Sequence, residues 1–379
     1  MNKILTVYDN YEPLNNVASV LSLDVDEVFF AYHHDVDSRY FLYIEKVIRK
    51  YKKNIKLNFM QLVNDEYQLR SIIEYNENVI VDVGGAKYLS LVLFDLARKN
   101  GREIIYYDDE ENNIKDYKTH SIICPKVFNL TIEDVINLKG GEIVNYMHQS
   151  VQDEDSKQTI RRIVEMNVEH YPAFIHFISR INSFINNADY LGNNKYRLSD
   201  DVIRKIESDE IYDYIDDLFV IEGNELEFKN RVLKELVSVS GTFLENYLHI
   251  VVGESGYFDD MKMSVVVDFA DENCEYPVRC EIDSLILKDN HLLFVSCKSS
   301  KADTGALNEI YVHNKKFGNS LSRPVLCVCE ELDRKYPSIY AKGKELGVYM
   351  IDRSSFLEKD INEEFLSIIE GTYEYDRVI

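Results

Sequence analysis

Paired cysteines are absent from this sequence. Six cysteines occur in 379 residues, and none of them forms a CxxC motif or has the spacing of a zinc site. Cys327 and Cys329 flank a single residue in an apolar run, which is typical of cysteines in a buried strand. The sequence therefore predicts reduced thiols that take part in core packing.

Long apolar runs are absent as well. No stretch approaches the roughly 20 apolar residues that a membrane-spanning helix requires. Met1, Asn2 and Lys3 lead directly into a short predicted strand, so we expect no signal peptide. These two observations predict a cytoplasmic protein.

Basic residues are scarcer than acidic ones. The chain has 43 Lys and Arg against 66 Asp and Glu, which gives a formal net charge of −23. Because so acidic a chain repels nucleic acid at long range, any nucleic-acid site must be a local basic patch. Four residues offer such a patch: Lys301, Lys315, Lys316 and Arg323. Charges that keep an exposed helix soluble are an equally good interpretation of them.

Short apolar strands alternate with amphipathic helices in the N-terminal part of the chain. Strands are predicted at residues 4–8, 28–32, 55–60, 79–83 and 103–107, and helices at residues 17–23, 38–52, 66–76 and 88–100. This alternation predicts an α/β fold with a parallel, Rossmann-like sheet. Ligands bind beyond the carboxyl ends of the strands in such sheets, where the loops Asp9–Asn16 and Gly84–Lys87 are expected.

The second of these loops has the composition of an anion site. Gly84 and Gly85 open a helix, so backbone N–H groups and the helix dipole favour a negative charge there, and Lys87 adds a positive one. A tight strand–helix turn without a ligand is the alternative. No GKS or GKT follows and the third glycine of the dinucleotide fingerprint is missing, which argues against a P-loop and a dinucleotide-dependent enzyme.

The rest of the chain divides into two further regions. An acidic run at Asp153–Asp155 marks the first boundary, near residue 150, and residues 151–225 are predicted to be a helical connector with some winged-helix character. Residues 226–252 show apolar steps of three and four, which predicts one long helix carrying Glu245. The order that follows is three strands, helix, strand, helix and strand, which predicts a mixed sheet in a domain of residues 226–379.

A hairpin is predicted at residues 280–300, with its turn at Asp289 and Asn290. Glu281 and Asp283 share one face of its first strand, because side chains alternate along a strand; Ser296 and Lys298 share one face of the second. The two carboxylates suit Mg²⁺ or Mn²⁺, and a lysine beside them can offset phosphate charge. The residues thus outline a phosphodiester-hydrolysis site, and a solvated acidic face is the alternative.

Several short segments, in their order along the chain, resemble a known family. They are the loop after the first strand, VGGAK at 83–87, TIEDV-x-x-L-x-G at 131–140, GTFLENY at 241–247 and the EID…FVSCK hairpin. Residues 1–150 resemble a CARF domain, the cyclic-oligoadenylate sensor of type III CRISPR defence. Residues 226–379 resemble a PD-(D/E)xK nuclease of the restriction-endonuclease-like fold. The whole chain therefore resembles the CARF–nuclease fusion effectors.

The resemblance implies a homodimer formed through the CARF domains, with cyclic tetra-adenylate as an allosteric activator lying across the two-fold axis. The residues expected to contact this ligand are Asp9, Asn10, Tyr11, Asn15, Gly84, Gly85, Ala86 and Lys87. The implied activity is metal-dependent cleavage of DNA, RNA or both.

For the nuclease half, the resemblance implies that Glu245 and Asp283 hold Mn²⁺ or Mg²⁺ and that Lys298 is the catalytic lysine. Ser296 stands where the family usually has a carboxylate, and serine is a poor metal ligand. Glu281, or the carbonyl of Cys297, would then have to complete the site. A non-catalytic nucleotide-sensing regulator with a degenerate nuclease domain is therefore the alternative function.

Overall fold

The computed structural model describes residues 2–9, 11–33, 36, 39–63, 65–85, 87–147, 153–214, 218–229, 231–238, 242–269, 276–299 and 302–374. Of the predicted site residues, Asn10 and Ala86 lie outside this part, and so does the side chain of Lys87. No helix within these ranges combines the length and the apolar character needed to cross a membrane.

The N-terminal sheet is Rossmann-like, as predicted. Its elements are β1 (Lys3–Val7), α1 (Pro13–Ser22), β2 (Glu27–Tyr32), α2 (Arg39–Tyr51), β3 (Lys56–Gln61), α3 (Asp65–Tyr75), β4 (Val79–Asp82), α4 (Lys87–Lys99), β5 (Ile104–Asp108), β6 (Asn113–Asp116) and β7 (Ile122–Cys124). The strand order is β3-β2-β1-β4-β5-β6-β7. The first five strands are parallel, and the short β6 and β7, which were not predicted, continue the sheet in antiparallel fashion.

The loop after β1 is shorter than predicted. α1 begins at Pro13 rather than at Val17, because proline at the first helical position has a φ that already suits a helix and needs no N–H there. Asn15 consequently lies in the first turn of a helix and not in an open loop.

A short segment links the two α/β sheets of the chain. α5 (Ile132–Leu138) starts with a capping box, in which Thr131 and Asp134 satisfy each other's backbone N–H groups. β8 (Glu142–Met147) follows, and it pairs with a strand of the C-terminal sheet rather than with the N-terminal one. A strand that precedes residue 150 thus completes the sheet of the C-terminal part.

The connector contains a small sheet as well as helices. Its elements are α6 (Glu154–Glu169), α7 (Ala173–Asn186), β9 (Asp189–Gly192), β10 (Lys195–Arg197), α8 (Asp200–Glu207), a 3₁₀ turn at Tyr212–Tyr214, β11 (Phe219–Glu222), β12 (Glu225–Phe228) and α9 (Arg231–Ser238). The four strands form an antiparallel sheet in the order β11-β12-β10-β9. The helices of the predicted connector are thus accompanied by a small antiparallel sheet, and its winged-helix character stays a prediction.

The single long helix predicted for residues 226–252 is also wrong. This stretch contains the end of β12, then α9, and then α10 (Thr242–Ser255). Leu226 and Phe228 are buried while Glu225 and Glu227 are not, which is the period-two pattern of a strand. The helical spacing of residues 226–252 therefore extends over a strand and two separate helices.

The C-terminal sheet is mixed, as predicted. Its further elements are β13 (Asp260–Asp268), β14 (Arg279–Lys288), β15 (His291–Lys298), α11 (Thr304–Phe317), β16 (Arg323–Val328), α12 (Leu332–Lys335), α13 (Pro337–Leu346), β17 (Tyr349–Ile351), α14 (Arg353–Glu358) and α15 (Ile361–Glu370). The order is β17-β16-β15-β14-β13-β8, with β15, β16 and β17 parallel to one another. The predicted hairpin therefore forms the two central strands.

Both faces of this central sheet are covered. Leu285, Leu287 and Phe294 join a core that also contains residues of the N-terminal domain. Ile286, Leu293 and Val295 join a second core with residues of the connector and of α10. Because β14 and β15 are buried on both sides, their polar side chains stand out as candidates for function.

Candidate functional site

The turn of the central hairpin is fixed by its own sequence and by the N-terminal half. Asp289 and Asn290 have φ values of 47° and 65°, as the favoured two-residue hairpin turns require. The Asn290 side chain accepts the N–H of Leu130 at 2.9 Å and donates to the carbonyl of Phe128 at 3.2 Å. The hairpin is thereby held against the segment that precedes α5.

The Asp283 side chain accepts two hydrogen bonds from the second strand of this hairpin. Its Oδ2 accepts the Cys297 N–H at 2.7 Å and the Ser296 hydroxyl at 3.2 Å. The Lys298 ammonium lies 3.8 Å from the same oxygen. The Asp283 side chain is 24% exposed and that of Lys298 is 36% exposed, so both can be reached from solvent. Ser296 thus acts here as a hydrogen-bond donor to the carboxylate.

Glu245 approaches the hairpin from α10. Burial, together with the negative charges of Asp283 and Glu281, raises the pKa of Glu245 to about 7. Its Oε2 accepts the Ser264 hydroxyl at 3.2 Å, and this bond and Lys298 lower the same pKa in part. The charges of Asp283, Glu281 and Lys298 thus all act on Glu245, and we call these four residues the acidic cluster.

The acidic cluster has the donor chemistry for a hard divalent cation, because it combines three carboxylates with a single lysine. Within the described ranges, however, no three His, Cys, Asp or Glu residues stand close enough together to hold a metal ion. Burial also raises the pKa of the Cys297 thiol well above its usual range, so only the backbone of Cys297 could take part. The assignment of Glu245, Glu281, Asp283 and the Cys297 carbonyl as metal ligands stays a prediction.

A histidine on α11 also belongs to this environment, and sequence reasoning did not find it. Burial lowers the pKa of His313, and the charge of Asp283 partly opposes this shift. α11 packs against β15 and β16, and the charges of Glu309 and Asp283 both act on His313. Only the three-dimensional packing of α11 gives this signal, since His313 lies 15 residues beyond Lys298 in an ordinary amphipathic helix.

The basic patch expected after Lys298 is only partly available. Lys301 lies outside the described residues. The Arg323 guanidinium donates to the carbonyls of Ser320 at 2.7 Å and Ser322 at 3.0 Å, so it serves the loop before β16. Lys315 and Lys316 remain exposed on α11.

The loop after β1 is organised around Asn16, a buried side chain that sequence reasoning had not selected. Its amide donates to the Val7 carbonyl at 2.8 Å and to the Thr6 hydroxyl at 2.7 Å, and its oxygen accepts the Asp9 N–H at 3.0 Å. Asp9 in turn accepts the N–H of Tyr11 at 2.8 Å. Tyr11 is 77% exposed, so an aromatic ring projects from a well-anchored loop.

The glycine loop after β4 touches this first loop directly. A Cβ on Gly85 would stand 1.6 Å from the Val7 carbonyl oxygen, and one on Gly84 would stand 3.2 Å from the carbonyl oxygen of Asn15. Only glycine allows the backbones to approach so closely at position 85. The two loops predicted to form one site therefore do lie side by side, and we call them together the sensor loops.

A buried carboxyl group lies beneath the sensor loops. Asp82, the last residue of β4, is fully buried, and burial raises its pKa to about 7. Its Oδ1 accepts the Gly84 N–H at 3.0 Å, which offsets part of this shift. The sequence pattern of β4 did not indicate that Asp82 is buried, because a polar residue at the end of a strand is usually expected to face solvent.

The first sensor loop also contacts the C-terminal domain. The Glu12 carboxylate accepts the N–H of Ser320 at 3.0 Å, and the Ser320 hydroxyl donates to Asp109 at 2.9 Å. The Lys139 ammonium contacts the Tyr11 carbonyl. Burial raises the pKa of Glu12, while Lys139 and the Ser320 N–H act in the opposite direction. Ser320 lies between α11 and β16, so one short path joins the sensor loops to the helix beside the acidic cluster.

The described part of the chain thus combines a Rossmann-like domain with paired loops and a mixed sheet that carries a carboxylate–lysine hairpin. Two solved structures share the fold of this chain along nearly their whole length. VC1899 from Vibrio cholerae aligns with a TM-score of 0.78 at 16% identity, covering 98% of each chain. Can2 from Sulfobacillus thermosulfidooxidans, solved in complex with cyclic tetra-adenylate, aligns with a TM-score of 0.72 at 14% identity, covering 97% of each chain. No protein-family model matches the chain, and no curated protein matches it.

The predicted fold class and architecture are thus confirmed. At these identities the likeness concerns the fold alone.

Proposed function

We propose that the protein is a metal-dependent endonuclease that cyclic tetra-adenylate activates. The observation that carries this proposal is the acidic cluster. Asp283, held by two donors from β15, lies 3.8 Å from Lys298 on the central strands of the sheet, and its charge acts on Glu245 of α10. Support comes from the fold, which is shared with a structure solved in complex with cyclic tetra-adenylate.

The chain's own residues would divide the work of phosphodiester hydrolysis between them. A bound Mn²⁺ or Mg²⁺ would supply Lewis-acid stabilisation of the phosphate charge. The Cys297 N–H and the Ser296 hydroxyl hold the Asp283 carboxylate in place by donating to the same oxygen. Lys298 offsets the negative charge that develops on the phosphate, because its ammonium is exposed and only 3.8 Å from Asp283.

The ligand would bind at the sensor loops. The close-packed Gly84 and Gly85 present backbone to a phosphate at the start of α4, where the helix dipole favours an anion. The exposed ring of Tyr11 offers a stacking surface for an adenine base. Two copies of the chain would pair through this domain, so that a ligand with four-fold repeat matches a two-fold dimer. The proposed activity includes cleavage of DNA, of RNA or of both.

We assign the link between the two sites to the contact of Glu12 with Ser320. A phosphate arriving near Tyr11 would compete with Glu12 for the charge of Lys139. A change in the Glu12 position is then passed to the loop that ends α11, and α11 carries His313 beside Asp283. Binding at the loops and activity at the cluster would be coupled through two arrangements of this one contact.

The test compares two variants of the cluster with a matched control. Asp283→Ala and Lys298→Ala should abolish cleavage and leave the affinity for cyclic tetra-adenylate, measured by calorimetry, unchanged. Lys288→Ala removes a lysine from the same hairpin at its far end and should retain activity. Full activity of either cluster variant would refute the site assignment.

Two observations favour the regulator as a second candidate. Ser296, not a carboxylate, stands two residues before Lys298, and the chain carries a net charge of −23. A regulator would bind cyclic tetra-adenylate. It would not bind Mn²⁺ at the acidic cluster, and it would not cleave any nucleic acid. Metal binding measured by calorimetry therefore separates the two candidates.

A further inference from the structure

A strained serine lies inside β13, next to the acidic cluster. Ser264 has a φ of 47°, in the left-handed region that side-chain-bearing residues rarely adopt. Seven non-glycine residues in the described part of the chain have a positive φ, and the other six are Asn, Asp or His in turns and loops. Ser264 is the one that belongs to a strand, so no turn explains its conformation.

The pairing of β13 is regular toward one neighbouring strand and irregular toward the other. β13 keeps its register with β14 on both sides of Ser264, where Met263 pairs with Ser284 and Val265 pairs with Ile282. The pairing of β13 with β8 shifts between Met263 and Val266 and again between Val266 and Val267, so β13 has a local bulge within residues 263–267, the stretch that contains Ser264. Bulges of this kind re-aim a side chain and are frequent beside active sites.

The bulge directs the Ser264 hydroxyl to the cluster. Its Oγ donates to Glu245 Oε2 at 3.2 Å, and in the β13–β14 register it lies opposite Asp283. Glycine would adopt the same backbone conformation without strain, but it could not make this bond. Glycine at position 264 would relieve the backbone strain, yet the chain has a serine there whose hydroxyl bonds to Glu245. This combination indicates that Ser264 has a role in function.

We propose that Ser264 is a positioning residue that holds Glu245 in place for metal binding and cleavage. This inference rests on the proposed nuclease function. Loss of the hydroxyl would let the Glu245 side chain leave the geometry it shares with Asp283, while the fold of the sheet would stay intact.

Three substitutions separate the hydroxyl from the backbone strain. Ser264→Gly removes both, Ser264→Ala removes the hydroxyl and keeps the strain, and Ser264→Thr keeps the hydroxyl and increases the strain through its branched side chain. We expect the Gly and Ala variants to lose about tenfold in kcat at similar KM, as for a hydrogen bond to a charged group. The Thr variant should retain activity. In thermal unfolding, the Gly variant should be the most stable and the Thr variant the least.

The predicted orders of activity and stability therefore differ, which a purely structural role would not produce. Ser284→Ala is the control, because this neighbouring hydroxyl is buried without a hydrogen-bond partner among the described residues. Calorimetric Mn²⁺ binding gives a readout that does not depend on cleavage, and the Gly and Ala variants should bind Mn²⁺ about tenfold more weakly.

The outcomes separate this inference from the proposed function. If the wild-type protein cleaves and Ser264→Gly keeps full activity, the positioning role is refuted. It is refuted equally if activity and melting temperature fall together in that variant. If the wild type binds Mn²⁺ without cleaving, the nuclease proposal fails, and the Mn²⁺ affinities of the variants still decide the role of Ser264. If it neither binds Mn²⁺ nor cleaves, both proposals fall.

Discussion

Gly85→Ala should disable the sensor loops while leaving the C-terminal domain intact. A Cβ at this position would lie 1.6 Å from the Val7 carbonyl oxygen and 2.7 Å from its carbon, against 3.4–4 Å for ordinary contact. The two loop backbones would therefore have to separate by more than about 1 Å, a kind of overpacking that costs about 1–3 kcal/mol. Because Val7 and Asn16 hold the first loop in place, the shift reaches both halves of the proposed ligand site.

The assay is calorimetric titration with cyclic tetra-adenylate, together with thermal unfolding. We expect a loss of binding of at least tenfold, since an entire loop moves, and a modest fall in melting temperature. Gly84→Ala should have a smaller effect, because its Cβ would meet oxygen atoms at 3.2 Å. Gly253→Ala, where nothing lies within 4 Å, is the control. Wild-type affinity in Gly85→Ala would refute the placement of the ligand at these loops.

Two further predictions concern regulation and pH. Cyclic tetra-adenylate should stimulate cleavage about tenfold less in Glu12→Ala than in the wild type, although the ligand still binds, because a hydrogen bond to a carboxylate is lost. Ser320→Ala keeps the backbone N–H that donates to Glu12, so its stimulation by the ligand should be nearly unchanged. Asp82 has a pKa raised from 3.8 to about 7, so the native state holds one proton more than the unfolded state between these values, and stability falls as pH rises through that window. The free energy of unfolding of the wild type, measured with denaturant, should fall by about 4 kcal/mol between pH 4 and pH 7, and Asp82→Asn should lack this fall. The same pH dependence in the wild type and in Asp82→Asn would contradict the raised pKa of Asp82.

The parts of the fold that follow from local pattern were predictable. The central hairpin was found because apolar runs flank an Asp-Asn turn whose positive φ values the structure confirms. The parallel N-terminal sheet was found because buried strands and amphipathic helices alternate with regular spacing. In both cases short-range sequence and long-range packing agree.

The parts that depend on distant packing were not predictable. β8 joins the C-terminal sheet through its pairing with β13, more than a hundred residues away, and nothing in its own sequence indicates which sheet it enters. The stretch after Glu225 has helical spacing overall, although Leu226 and Phe228 follow a strand pattern that is only four residues long.

The candidate site shows the same division. Glu281, Asp283 and Lys298 could be selected because their strand positions are visible in the sequence. Ser264 and Glu12 could not, since their importance lies in a backbone angle and in a contact across 308 residues.

The most direct test of the account is a cleavage assay on supercoiled plasmid, single-stranded DNA and single-stranded RNA, in which Mn²⁺ and cyclic tetra-adenylate are each added or withheld. The account predicts cleavage of at least one substrate only when both are present, and loss of that cleavage in Asp283→Ala. Ligand binding without cleavage of any substrate would contradict the nuclease assignment and favour the regulator. Cleavage that does not depend on the ligand would contradict the coupling of the sensor loops to the acidic cluster.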